Sequence, residues 1–121
     1  MSRYPDTVQF NRLNRPIGVE WNARNLEVQG EIPTEIRGAF FRAVPDPAHA
    51  PRDPMDIALS GDGMVSRFLI ENGKIDHDIR YVRTPRFEAE RKARRALFGK
   101  YRNPFTDLPE VKGVDRAVAN T

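Results

Sequence analysis

The stretch MVSRFLIENGKIDHDIRY, Met64 to Tyr81, leaves a chain little choice in how it folds. Apolar and polar residues alternate on both sides of Asn72-Gly73, and Asn-Gly supplies the two left-handed positions of a two-residue type I′ turn. That turn fixes the register. Ile70 faces Ile75, Phe68 faces His77, Ser66 faces Ile79 and Met64 faces Tyr81, which makes one face of the hairpin nearly all apolar. The other face sets Glu71 against Lys74 and Arg67 against Asp78, opposite charges directly across the ladder. Slipping by one residue would turn the apolar set outward, so periodicity and turn chemistry specify the same pairing.

Other segments read less sharply. Residues 1–24 are polar, contain proline and are weakly periodic, which predicts an extended N-terminal arm. Residues 25–121 form the body. NLEVQGEIP alternates Leu26 and Val28 before Gly30 and reads as a short strand. EIRGAFFRAV reads as another, introduced by Gly38 and running through Val44. PDPAHAPRDP carries four prolines in ten residues, and proline lacks the backbone donor a central strand or helix interior needs. Thr84-Pro85 reads as a helix start, with Thr as N-cap, Pro in the first turn and Glu88 and Glu90 near the positive end. The helix is predicted to continue through Phe87, Ala93 or Ala96, and Leu97, with Gly99 as C-cap. The expected class is all-β, short antiparallel strands and hairpins with one basic helix. One open sheet of this size needs cover on its apolar face, so the architecture reads as incomplete.

Few chemistries are available to such a chain. It has no cysteine, which removes disulfides and thiolate metal sites. The N-terminus lacks the apolar core of a signal peptide, and no stretch approaches the ~20 apolar residues of a membrane helix. The cytoplasm is the expected location. His49 lies in the proline loop and His77 on the apolar face of the hairpin. Neither belongs to a metal-ligand spacing, so His49 reads as an exposed loop residue and His77 as a core residue. Ser60 and Ser66 have no base partner, and the glycines of GDGM lack the helix and spacing of a phosphate loop. The residues alone give no complete active site and no catalytic residue.

Charge is unevenly placed. Arg80 to Arg102 holds nine basic residues against Glu88 and Glu90, and sixteen of the chain's twenty basic residues are arginine. Arginine interleaved with Tyr81, Phe87, Phe98 and Tyr101 has the composition of a surface for nucleic acid or another anion. The other reading of the same residues is a helix whose arginines pair with acids elsewhere in a larger fold.

Taken in order, LEVQGEIPTEIRGAFFRAVPDP, SGDGMVSRFLIENGKIDHDIRYVRT and the terminal ANT resemble the N-terminal region of the carotenoid cleavage oxygenases. Within that family, ERKARRALFGKYRNPFTD is similar to the branch that cleaves lignostilbenes and related phenolic stilbenes. The resemblance covers roughly residues 14 to 121. It implies the first part of a seven-bladed β-propeller with iron(II) on its axis, held by four histidines. Gly61-Asp62-Gly63 would turn tightly into a blade strand, a structural role, and Asn72-Gly73 would close the blade's outer hairpin. A blade takes about 40 residues and seven need on the order of 300. The resemblance therefore implies an N-terminal fragment, with a native start at Met1 and a cut end at Thr121. Every Fe(2+) ligand would lie beyond Thr121, with His49 and His77 matching none of them, and the chain alone would be inactive.

Two substrate-binding residues follow from the resemblance. Tyr101 matches the Tyr of YRNP that hydrogen-bonds a phenolic substrate hydroxyl, and a tyrosine hydroxyl can both donate and accept. Leu59, two residues before the GDGM motif, stands where an aromatic commonly lines the cleft, so a stacking surface is lost. The implied reaction is scission of an alkene double bond, in a phenolic stilbene or an apocarotenoid, by dioxygen to two carbonyl products. Nucleic acid is not an implied partner, and a homodimer is compatible with the resemblance.

Overall fold

The structure, a computed structural model, describes residues 3–121. Four antiparallel strands form one sheet: β1 (Trp21–Ala23), β2 (Gly38–Pro45), β3 (Gly63–Glu71) and β4 (Lys74–Tyr81), in the spatial order β1-β4-β3-β2. The hairpin has the expected register throughout, from Glu71 opposite Lys74 to Met64 opposite Tyr81. Asn72 and Gly73 take φ of 51° and 73°, the two left-handed positions that Asn and Gly tolerate. β2 pairs along the whole of β3, from Gly38 opposite Ile70 to Pro45 opposite Gly63, and forms one edge of the sheet.

The apolar face of the hairpin is buried only at one end. Met64, Ile79 and Tyr81 pack with Phe87 from the helix, flanked by Val44 and Ala48. Toward the turn the same face carries an aromatic ladder across the strands. Phe40 lies over Phe68, Phe68 stacks on His77 at 4.3 Å between ring centroids, and Trp21 meets His77 edge-on. Trp21 Nε1 donates to His77 Nδ1 at 3.0 Å.

Two local expectations fail for identifiable reasons. No strand forms at Leu26–Val28; the pairing to β4 falls instead on Trp21–Ala23, inside the segment read as an arm. Asn25 takes φ of 52° and its N–H is captured by the Asp76 carboxylate at 2.8 Å, which bends the chain off the sheet after Ala23. Leu26 N–H then returns to the β4 backbone at the Ile75 carbonyl.

The helix, α1, spans Pro85–Ala93 and starts as predicted, with Thr84 Oγ1 accepting from Phe87 N at 3.0 Å. It ends well before Gly99. Arg94 adopts φ of 56°, and the Glu90 carboxylate accepts from Leu97 N and Phe98 N at 2.9 and 3.1 Å. A side chain of the helix thus takes the amides that another turn would have used, and it swings Leu97 and Phe98 onto Val111 in a second apolar cluster. Gly99 is no cap. A Cβ there would stand 2.0 Å from Thr106 Oγ1, so the glycine serves a close approach.

A left-handed arginine costs about 1–2 kcal/mol relative to a residue without a Cβ. Arg94→Gly is therefore expected to stabilise the protein by about 0.5–1 kcal/mol after the larger entropy of the unfolded glycine is counted. Arg91→Gly, inside α1, is expected to destabilise by about 1 kcal/mol. Urea unfolding of the two variants beside the parent reads both signs.

Candidate functional site

Leu59 and Tyr101 sit on two separately braced segments. Leu59 lies in the short helical turn Ala58–Ser60, directly before Gly61-Asp62-Gly63, with its side chain 44% exposed. Gly61 has φ of −65° and Gly63 is not left-handed either, so neither glycine makes the tight turn expected of the motif. Their purpose is proximity. A Cβ on Gly61 would stand 2.8 Å from Pro47 Cδ, and one on Gly63 would stand 2.0 Å from the Ala119 carbonyl oxygen. Three stretches of backbone, Pro45–Ala48, Gly61–Gly63 and Val118–Asn120, cross here at distances only glycine permits.

Hydrogen bonds close the crossing from each side. Gly63 N donates to the Val118 carbonyl and Asp46 N to the Asp62 carbonyl, both at 2.7 Å. Asp62 Oδ2 accepts from Ala48 N at 3.0 Å. Asn120, buried, donates from Nδ2 to both the Leu59 and the Gly61 carbonyl oxygens at 2.8 Å. The terminal motif and the glycine motif are therefore one structural unit, and Asn120 holds the backbone of residue 59 in place.

Asp46 is the second anchor. Its carboxylate accepts from Ile17 N, Gly18 N and the Tyr81 hydroxyl, the last at 2.6 Å. Tyr4 donates to the neighbouring Pro47 carbonyl. Burial, and after it the charges of Asp46 and Asp62, pushes the Tyr4 hydroxyl up to about 12. Burial and the bond to Asp46 push Tyr81 up as well. Both phenols stay protonated donors, which suits a clamp and not a base.

Tyr101 sits on the loop that returns from the second apolar cluster, its side chain 38% exposed and its ring under the Arg102 guanidinium at 5.2 Å. Asp107 holds that loop shut. It accepts from Gly99 N at 2.7 Å and from Nε and a terminal nitrogen of Arg116, which also reaches the Lys100 carbonyl. Thr106 Oγ1 accepts from Lys100 N, Arg52 donates to the Thr106 carbonyl, and Lys100 pairs with Asp53. Leu59 and Tyr101 are not among the residues lining the small buried cavity next to the glycine crossing. Sequence reasoning missed Asp46, Asp107, Arg116 and the bonding role of Asn120. No spacing signals a carboxylate whose partners are amides from remote segments.

The histidines do not form a metal site. His77 is held between Phe68 and Trp21, with Nδ1 already accepting. Among the described residues no three His, Cys, Asp or Glu side chains stand close enough to hold a metal ion. These residues do not fit an iron centre. The basic segment does not form an open stacking surface either. Tyr81, Phe87 and Phe98 are buried, Arg83 lies over Phe87, Arg86 over Phe98, and Arg95 pairs with Glu110 at 2.7 Å. The nucleic-acid reading is not supported.

The sequence profile of the family described as retinal pigment epithelial membrane protein, RPE65, matches residues 14–121. The chain belongs to this family. It is 53% identical over 106 residues to isoeugenol monooxygenase of Pseudomonas putida, covering 88% of this chain and 22% of that protein. It is 46% identical over 121 residues to lignostilbene-α,β-dioxygenase isozyme III of Sphingomonas paucimobilis, covering all of this chain and 25% of the relative. The crystal structure of Pseudomonas brassicacearum lignostilbene dioxygenase superposes with a TM-score of 0.88 at 38% identity, over all of this chain and 24% of that one. The chain thus spans a quarter or less of the length of these relatives, and its sheet and helix are part of a seven-bladed β-propeller.

Two outcomes test the bracing. Gly63→Ala must displace Val118–Asn120 and is expected to cost about 3 kcal/mol. Gly73→Ala, strained only in its own turn, is expected to cost about 1 kcal/mol. Burial raises the Asp107 carboxyl, but the Arg116 and Gly99 bonds outweigh it and leave it below the ordinary value of 3.8. Its contribution is thus present above pH ~4 and lost as pH falls through the depressed value. Amide exchange in the Tyr101 loop should accelerate across that acid window, and Asp107→Asn should abolish the acid dependence.

Proposed function

We propose that this chain is part of an oxygenase that cleaves the carbon–carbon double bond of an alkene, with a phenolic alkene as the reading best supported. Dioxygen supplies one oxygen to each product, so R–CH=CH–R′ gives two aldehydes with no further reductant. The observation that carries this is the likeness, over 88% and 100% of the chain, to relatives named for isoeugenol and lignostilbene oxygenation. The structure adds support in kind. Tyr101 is half-exposed on a loop fixed by Asp107 and Thr106, as a phenol-binding hydroxyl needs to be if it is to set the position of the alkene.

In this reading the chain supplies an N-terminal arm, residues 1–24, whose last residues pair as β1, and an incomplete propeller over 25–121. Non-haem iron(II) belongs to the reading and supplies dioxygen activation when bound, with ligands outside these residues. Tyr101 accepts or donates to the substrate phenol, and Leu59 offers an aliphatic wall. The substrate is a phenolic stilbene or an apocarotenoid. Leu59 also favours a second possibility, a phenol with a short propenyl chain, because an aliphatic wall suits a methyl group better than a second aryl ring. Cytoplasmic location and a homodimer complete the proposal. No helix among the described residues is long and apolar enough to cross a membrane.

The test is the protein containing this chain, assayed for bound iron and for aldehydes from a hydroxystilbene and from a propenylphenol. Tyr101→Phe is expected to raise KM about 10-fold, the loss of one hydrogen bond near 1.4 kcal/mol, with iron content unchanged. Leu59→Phe is expected to shift kcat/KM toward the stilbene. Iron-replete protein that cleaves neither substrate would sink the proposal.

A further inference from the structure

We propose that the glycine crossing contains one built-in water molecule, bridging Asp62 Oδ1 to Arg86 Nε. The cavity beside the crossing has a volume of about 20 Å³ and is lined in part by Asp62, Arg86, Glu90, Asp56, Ser60 and His49. A single water needs about 10–15 Å³ measured in this way and two or more polar partners. Asp62 is 3% exposed and Arg86 8%. Asp62 Oδ1 and Arg86 Nε, both buried, have no protein partner.

The groups bonded to or beside these two atoms leave them free. The other oxygen of Asp62 is taken by Ala48 N. Arg86 Nε stands 3.7 Å from Glu90 Oε2, beyond hydrogen-bonding distance. Glu90 Oε1 is taken by Leu97 N and Phe98 N. Asp62 Oδ1 is left as an acceptor and Arg86 Nε as a donor, a pair that one water molecule satisfies together. It donates to Asp62 Oδ1, accepts from Arg86 Nε–H, and keeps one hydrogen for a lining carboxylate, Glu90 or Asp56. A cation is opposed by the guanidinium in the wall, and the volume excludes an organic ligand. Burial pushes the Asp62 carboxyl up, and a donated hydrogen bond at Oδ1 favours the charged form.

This gives the Asp of the motif a purpose that its glycine neighbours do not share. One oxygen of Asp62 fixes the proline loop through Ala48. The other fixes α1 through the water.

A high-resolution crystal structure of the full protein decides the matter without mutation. The expected result is one fully occupied water about 2.7–3.2 Å from both atoms. In solution, Arg86 Nε–H should show a magnetisation-transfer signal from slowly exchanging water, lost in Arg86→Met. A dry cavity with Arg86 Nε closed directly onto Asp62 Oδ1 overturns the proposal. So does a metal ion at that position, recognised by its anomalous signal. If Arg86→Met does not fold, the parent crystal structure still gives the answer.

Discussion

The contact on which the rest depends is the approach of Val118–Asn120 to Gly63. Gly63 N donates to Val118 O at 2.7 Å, and the missing Cβ leaves the space that the Ala119 carbonyl occupies. This places Asn120 where one side-chain amide can hold two carbonyls, those of Leu59 and Gly61. From there the constraint spreads. Gly61 lies against Pro47, which brings Asp46 to Tyr81 and ties the N-terminal segment at Ile17 and Gly18 to the same carboxylate. Most of these partners are backbone groups. A buried amide or carbonyl without a partner costs about 1–3 kcal/mol, so each segment is held by the cost of leaving the others unsatisfied.

That dependence explains what was legible in the sequence. The hairpin and the Thr84 cap were legible because their determinants lie within a few residues of one another. Asn72-Gly73 fixes a register by its own torsions, and Thr84 reaches only to Phe87. β1 was not legible, because three residues become a strand only when β4 presents an edge to them. The end of α1 is not legible, because the residues beyond Ala93 keep a helical pattern. Glu90, a side chain inside the helix, overrides that pattern by taking the Leu97 and Phe98 amides. The glycines of the motif stand out in the sequence, but what they serve is close approach and not torsion. A glycine needed for torsion and one needed for proximity look identical in a sequence. Only Ala119, more than fifty residues away, separates them.

Arginine misleads for a related reason. A dense basic segment suggests a surface for anions, yet its arginines are partly spent on aromatic rings and carboxylates of the same chain, and one of them, Arg86, is buried. Arg83 and Arg86 lie over Phe87 and Phe98, and Arg86 is buried beside Glu90. A flat guanidinium can cover an aromatic ring and still offer edge donors to carboxylates, which a lysine ammonium cannot do. The preference for arginine over lysine is thus the informative signal, because Arg83 and Arg86 each cover a ring that a lysine would leave bare.

The two candidate substrate positions share none of their supports. Leu59 depends on Asn120 and the glycine crossing, whereas Tyr101 depends on Asp107, Arg116 and Thr106. Neither depends on the outer end of the sheet, where Phe40 and Phe41 are exposed on the edge strand β2. Positions held by remote hydrogen bonds rest on β3 only where it is attached at Gly63. The hairpin therefore matters to the site less through its length than through its first residue, which is both the start of a strand and the floor on which the last residues of the chain rest.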